Sequence, residues 1–260
     1  MTTLLITLAA ITAVGAAIRS TWSPCGLSML STITPMAERS RGRRWGSTAG
    51  WFVLGAVAGG ATLGLLAAVG ATLMSLVDLS LAVTLAIAAV LAITASAMDL
   101  GIRTEMPHHR RQVDEVWLDQ YRSWVYGLGF GWQIGSGVAT YIMTAAVYLT
   151  LALAALTADP AVALGICVLF GLTRGLAIFL GVRLTTPDRL RSFHRRFDRA
   201  GPAVRRAVIG LQMLMAVVAG AGAGGPIGAF AVLTVVTVLA VTTRASLTRT
   251  TSETTIPVRV

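Results

Sequence analysis

Apolar stretches long enough to cross a bilayer recur along this chain, and arginine is confined to alternate gaps between them. They run over about 3–36, 47–75, 79–102, 124–156, 161–182, 204–223 and 226–243. A membrane-crossing helix needs roughly 20 apolar residues. Of the 260 residues 55% are hydrophobic and only 12% charged, whereas soluble domains average about 25% charged residues. Too little charge remains to coat a water-soluble surface, which excludes a soluble enzyme, a secreted module and a disordered tail. The expected fold is all-α: a polytopic transmembrane helix bundle of six to seven spans.

The 21 basic residues are all Arg, against 11 acidic ones, and the chain has no Lys. Arg-only usage with abundant Ala, Gly and Val points to a high-GC bacterial genome. Nineteen of the arginines fall in four segments: 39–44, 103–122, 183–206 and the tail from 244. The intervening turns around Asp78, Asp159 and Gly224 hold none, and Arg19 and Arg174 lie inside spans. By the positive-inside rule the Arg-bearing segments are cytoplasmic. The expectation is a multi-pass protein of the bacterial plasma membrane with its N-terminus outside and its C-terminus in the cytoplasm. The opening MTTLLITL lacks a basic signal-peptide region and is read as the first membrane segment.

The chain is read as one integral membrane domain over 1–260. A first half spans 1–103, a cytoplasmic interfacial loop 104–123, a second half 124–224, an extra C-terminal span 225–243 and a cytoplasmic tail 244–260. Trp45, Trp51, Trp117 and Trp124 flank the cytoplasmic ends of spans, where indoles straddle headgroups and tails. Val113, Val116, Trp117, Tyr121, Trp124 and Val125 form a helical stripe before span four. A second interfacial helix is expected from Thr186-Pro187-Asp188 to Gly201-Pro202, with Leu190, Phe193 and Phe197 on its apolar face. The partners expected are the bilayer itself and anionic lipid headgroups at the Arg-rich loops, not nucleic acid.

Glycines spaced GxxxG, including Gly55–Gly59, Gly60–Gly64, Gly131–Gly135 and Gly171–Gly175, predict close helix crossings in lipid. Span one is too long for a straight helix. Its Ser23-Pro24-Cys25-Gly26 segment interrupts it, Pro24 removing a backbone donor and Gly26 loosening the helix. A second loosening is expected at Gly135. A thiol at such a break is either a cavity-facing nucleophile or a small packed residue. Two distant cysteines, Cys25 and Cys167, give no disulfide framework and no zinc spacing.

Ser20-Thr21-Trp22-Ser23-Pro24-Cys25 followed by Leu27 resembles the first-helix motif of the CcdA/DsbD transmembrane family, within the LysE-type superfamily. Gly127-Leu128-Gly129-Phe130-Gly131-Trp132 and Phe170-Gly171-Leu172-Thr173-Arg174-Gly175 are further points of similarity. The resemblance implies two inverted three-helix halves around a central site. It also implies transfer of reducing equivalents through one Cys in helix one and another in helix four. Here the helix-four position falls near Gly135, so the relay would need Cys25 with Cys167 and a thioredoxin-like partner.

Arg19 and Arg174 carry a burial cost that calls for a cavity, a partner or a ligand. With Gln133, Ser136, Thr140 and Tyr141 they outline a candidate anion site. His108, His109 and His194 lie among loop arginines and make no metal site, and no cofactor is expected. The function expected is transport of a small, anionic solute. The alternatives are a thiol-disulfide relay serving maturation of extracytoplasmic proteins or cytochrome c, or a non-catalytic membrane partner subunit.

Overall fold

A computed structural model describes residues 3–101 and 120–253, with side chains to residue 239. The described residues fold into helices, and there is no strand among them. In chain order the α-helices are α1 (Thr3–Ser20), α2 (Pro24–Thr32), α3 (Pro35–Ser40), α4 (Trp45–Ser75), α5 (Leu81–Leu100), α6 (Ser123–Ser136), α7 (Ala146–Leu156), α8 (Pro160–Leu176) and α9 (Pro187–Glu253). A 3-10 turn, Ala177–Gly181, prolongs α8. Among the described residues five helical segments are long and apolar enough to cross a membrane: Thr3–Ser20, Trp45–Ser75, Leu81–Leu100, Pro160–Gly181 and Pro187–Leu239. The protein is a helical membrane protein. The stripe around Val113–Trp117, His108, His109, most of the interfacial loop and the last residues of the tail lie outside the described residues.

Glycine sets the centre of the bundle. Helix α4 packs against α6 on one side and α8 on the other. On the α6 side Gly55 faces the carbonyl of Leu128, while Gly131 and Gly135 face those of Phe52 and Ala56. On the α8 side Gly60 meets the carbonyl of Cys167 and the backbone of Gly171. A Cβ at any of these positions would enter the neighbouring backbone, so the expected GxxxG crossings are present and they join α4, α6 and α8. Around this core α1 packs on α7, α8 and α9, and α5 packs along α9.

The bundle has two chemically different ends. At one, Ser75, Asp78 and Leu79 share a pocket with Leu156 and Ala158, and Gly222 packs on Leu4 and Leu85. This end carries the turns that lack arginine. At the other, Arg43 donates to the Tyr121 carbonyl, and Arg205 donates to the main-chain oxygen of Asp99. Here too, Ser31 Oγ and His194 Nε2 are 3.0 Å apart.

The helix boundaries depart from the sequence reading in two places. Span four is not one helix: α6 stops at Ser136, Gly137 takes φ +70°, and the chain stays non-helical until α7. Helix α9 does not end at Gly201-Pro202 but runs on through them. Tertiary packing overrides the proline there. Trp22 stacks on Phe197 with ring centroids 4.3 Å apart, donates Nε1–H to the Phe197 carbonyl at 2.8 Å, and lies against Gly201. The glycine-rich turn near 224 is present. Gly224 and Gly225 leave helical geometry, and the chain doubles back so that Gly228 and Val232 pack on Gly220.

Candidate functional site

The polar interior gathers around two interruptions, both nearer the Arg-rich end. The first is short. Helix α1 ends at Ser20, and α2 restarts with Ser23 as N-cap, its hydroxyl accepting from the Gly26 amide at 3.1 Å, and Pro24 in the first turn. Ser at the cap and Pro just inside satisfy or remove otherwise orphaned amides. Gly26 lies so close to the Thr21 carbonyl that no side chain fits. Cys25 follows Pro24 and is 2% exposed.

The second interruption, 137–145, is long and tied down from elsewhere. Asp99, near the end of α5, accepts from the Ala145 amide at 2.7 Å, from the Thr144 hydroxyl at 2.5 Å and from Gln212 Nε2 on α9 at 2.9 Å. Buried non-helical backbone persists only where its polar groups find partners, and this carboxylate supplies one for the Ala145 amide. In the sequence Asp99 is only an acidic residue near the end of the 79–102 stretch. Thr144 and Gln212 left no periodic signal, because nothing local marks a residue as the partner of a distant carboxylate.

One side chain reaches both interruptions. Arg174 on α8 is 2% exposed. Its Nη1 donates to the Ile134 carbonyl at 2.6 Å, near the end of α6, and Nη2 reaches the Ser20 carbonyl, the last residue of α1, at 3.4 Å. Its guanidinium also lies 5.8 Å from the Phe170 ring centroid. Helix C-termini leave carbonyls without intrahelical donors, and a planar fork of donors can serve two at once. The structure therefore gives Arg174 protein partners within the chain.

The remaining residues of the expected anion site do not share these contacts. Arg19 turns toward Asp99 and Arg205, so a carboxylate does lie near it. Ser136 is buried and donates to the Gln133 carbonyl within α6. Gln133 and Tyr141 are half-buried. Thr140 is buried, and its hydroxyl has no partner among the described residues. Gly135 sits inside α6 against Ala56, and the break itself falls two residues later. Cys25 and Cys167 are both buried thiols outside any disulfide, and Cys167 lies at the α4–α8 crossing.

A further polar cluster went unseen in the sequence. Glu38 in α3 is fully buried. It accepts from the Tyr126 hydroxyl at 2.6 Å and from the Thr48 hydroxyl at 2.6 Å, with Arg41 Nη1 3.6 Å away. Among the described residues no three His, Cys, Asp or Glu side chains converge as a metal site would require.

These features define a helical membrane protein with buried charges set at the ends of broken helices. Comparison with known proteins carries this further. The chain is 31% identical over 188 residues to methylamine utilization protein MauF of Paracoccus versutus, covering 71% of this chain and 68% of that one. It is 34% identical over 177 residues to MauF of Methylobacillus flagellatus, covering 64% and 61%. MauF of Methylophilus methylotrophus is 31% identical over 166 residues, covering 61% and 56%. The chain belongs to the MauF family of methylamine utilization proteins. No protein-family model and no solved structure matches it.

This membership overturns the CcdA/DsbD and LysE resemblance. With it go the expected transport of an anionic solute and the alternative thiol-disulfide relay. The physical reason lies in the motif that carried it. Ser-Pro-Cys-Gly here restarts a helix, with Ser as cap, Pro in the first turn and Gly at a close approach. Those local requirements can produce the same string in unrelated membrane helices.

Proposed function

We propose that this chain is a membrane-embedded, non-catalytic partner subunit of a methylamine utilization system. The observation that carries the reading is its kinship to several proteins named for methylamine utilization. The use of Arg174, Asp99 and Glu38 in tying helices together supports a structural role. The finer architecture belongs to the same proposal: seven crossings in the plasma membrane of a bacterium, built as two halves that each open with an interrupted helix. The Arg-bearing end faces the cytoplasm and meets anionic headgroups, and the N-terminus lies outside.

The test is growth. A strain lacking this chain should fail on methylamine as sole nitrogen source, grow normally on ammonium, and recover when the chain or a MauF relative is restored. Undiminished growth on methylamine would refute the reading. Reporter fusions near Asp78, Asp159 and Gly224 should report the outside, and fusions after Gly42 or Arg195 the cytoplasm. An outside signal at Arg195 would overturn the orientation.

A further inference from the structure

At the Arg-rich end, a cavity of about 280 Å³ opens between α1, α5, α9 and the second interruption, lined by Arg19, Met98, Asp99, Met143, Arg205 and Val208. Arg19 is 8% exposed, yet its guanidinium makes neither a hydrogen bond nor an ion pair within 4 Å to any described residue. Arg205 is exposed, and its Nε and Nη2 are anchored on the Asp99 main-chain oxygen at 3.3 and 2.7 Å. Both oxygens of the Asp99 carboxylate already accept from Thr144, Ala145 and Gln212. A buried guanidinium is costly unless something pairs with it, and no described residue supplies a hydrogen-bonding partner.

We infer that this cavity seats the phosphodiester of an anionic phospholipid between Arg19 and Arg205. Two guanidiniums and one carboxylate leave the lining with one net positive charge, which a single phosphodiester balances. Arginine donors match phosphate oxygens in geometry. The level of the cavity selects a lipid over a soluble phosphate. Asp99 is the penultimate residue of α5, and Arg205 stands where the apolar limb of α9 begins, so the two cations lie at headgroup depth. Met98, Met143 and Val208 offer an apolar wall to the glycerol and the first methylenes. The inference rests on the Arg-rich end meeting headgroups. It holds whether or not the chain serves methylamine utilization, and the experiment below involves no growth.

The full chain, purified in detergent and stripped of lipid, is titrated with phosphatidylglycerol, phosphatidylcholine and inorganic phosphate. Bound lipid is counted by native mass spectrometry and thermal unfolding is followed in parallel. Phosphatidylglycerol should bind and raise the unfolding temperature, with phosphatidylcholine and inorganic phosphate far weaker. Arg205→Gln should weaken phosphatidylglycerol binding about tenfold, and Arg19→Lys should weaken it less. Arg206 donates to the Pro202 carbonyl and does not line the cavity, so Arg206→Gln should bind as wild type does. Equal binding of both lipids, an equal response to inorganic phosphate, or Arg205→Gln and Arg206→Gln behaving alike would each overturn the site.

Discussion

The two interruptions of the bundle are held open by different means. The first spans three residues between α1 and α2, and its backbone is set by its own neighbours: Ser23 caps, Pro24 starts the next helix, and Gly26 packs on Thr21, while the Trp22 side chain reaches out to Phe197. The second spans nine residues between α6 and α7. Its anchors are distant in sequence, with Asp99 45 residues before Thr144 and Gln212 113 residues after Asp99. A short break can be written into adjacent residues. A long one exposes more backbone than local side chains can satisfy, so it borrows a carboxylate from another helix. Arg174 is the element common to both.

The contrast can be broken from either side. Asp99→Ala should have the largest effect, because it orphans the Thr144 hydroxyl, the Ala145 amide and the Gln212 amide together. A loss of about 4 kcal/mol is expected at roughly 1–3 kcal/mol per unsatisfied buried group. Unfolding in detergent measures it, and Asp99→Asn should lose clearly less. Arg174→Leu should follow at about 3 kcal/mol, since it removes two hydrogen bonds from a charged donor, while the two carbonyls keep the Gly137 and Ser23 amides and the cost of burying a charge is relieved.

Gly137→Ala tests the turn that opens the second break. Gly137 has φ +70°, and a Cβ there would stand 2.8 Å from the Phe170 ring. Strain and crowding together should cost about 2 kcal/mol. Ser23→Ala removes only a helix cap and should cost about 1 kcal/mol. If Ser23→Ala proved as damaging as Asp99→Ala, the division into local and distant control would fail.

This division also explains what the sequence reveals. Span positions for α4, α5 and α8, the break at Pro24 and the turn at Gly224-Gly225 are legible, because hydropathy and Pro or Gly report local backbone requirements. The crossings at Gly60 and Gly171 are legible for the same reason, since a missing side chain is visible in the string. The break after Ser136 shows in the sequence only as a loosening at Gly135, while its exact place, its length and its anchor do not. Gly135-Ser136-Gly137 resembles any small-residue stretch in a membrane helix, and its anchor lies on another helix. The continuation of α9 through Pro202 is hidden too, because it depends on Trp22 meeting Phe197 across 175 residues. Arg174 stands out in an apolar span, but its two carbonyl partners carry no side-chain signature.

The central claim is that one guanidinium couples the two interruptions. Hydrogen exchange on the full chain in detergent, comparing wild type with Arg174→Lys, tests it most directly. Lysine keeps the charge but replaces the planar fork with a single flexible ammonium, so it cannot match both carbonyl bonds as arginine does. The account expects faster amide exchange at both 20–27 and 134–147, with the α4–α8 crossing near Gly60 and Gly171 unchanged. Faster exchange at one interruption alone, or at neither, would contradict it.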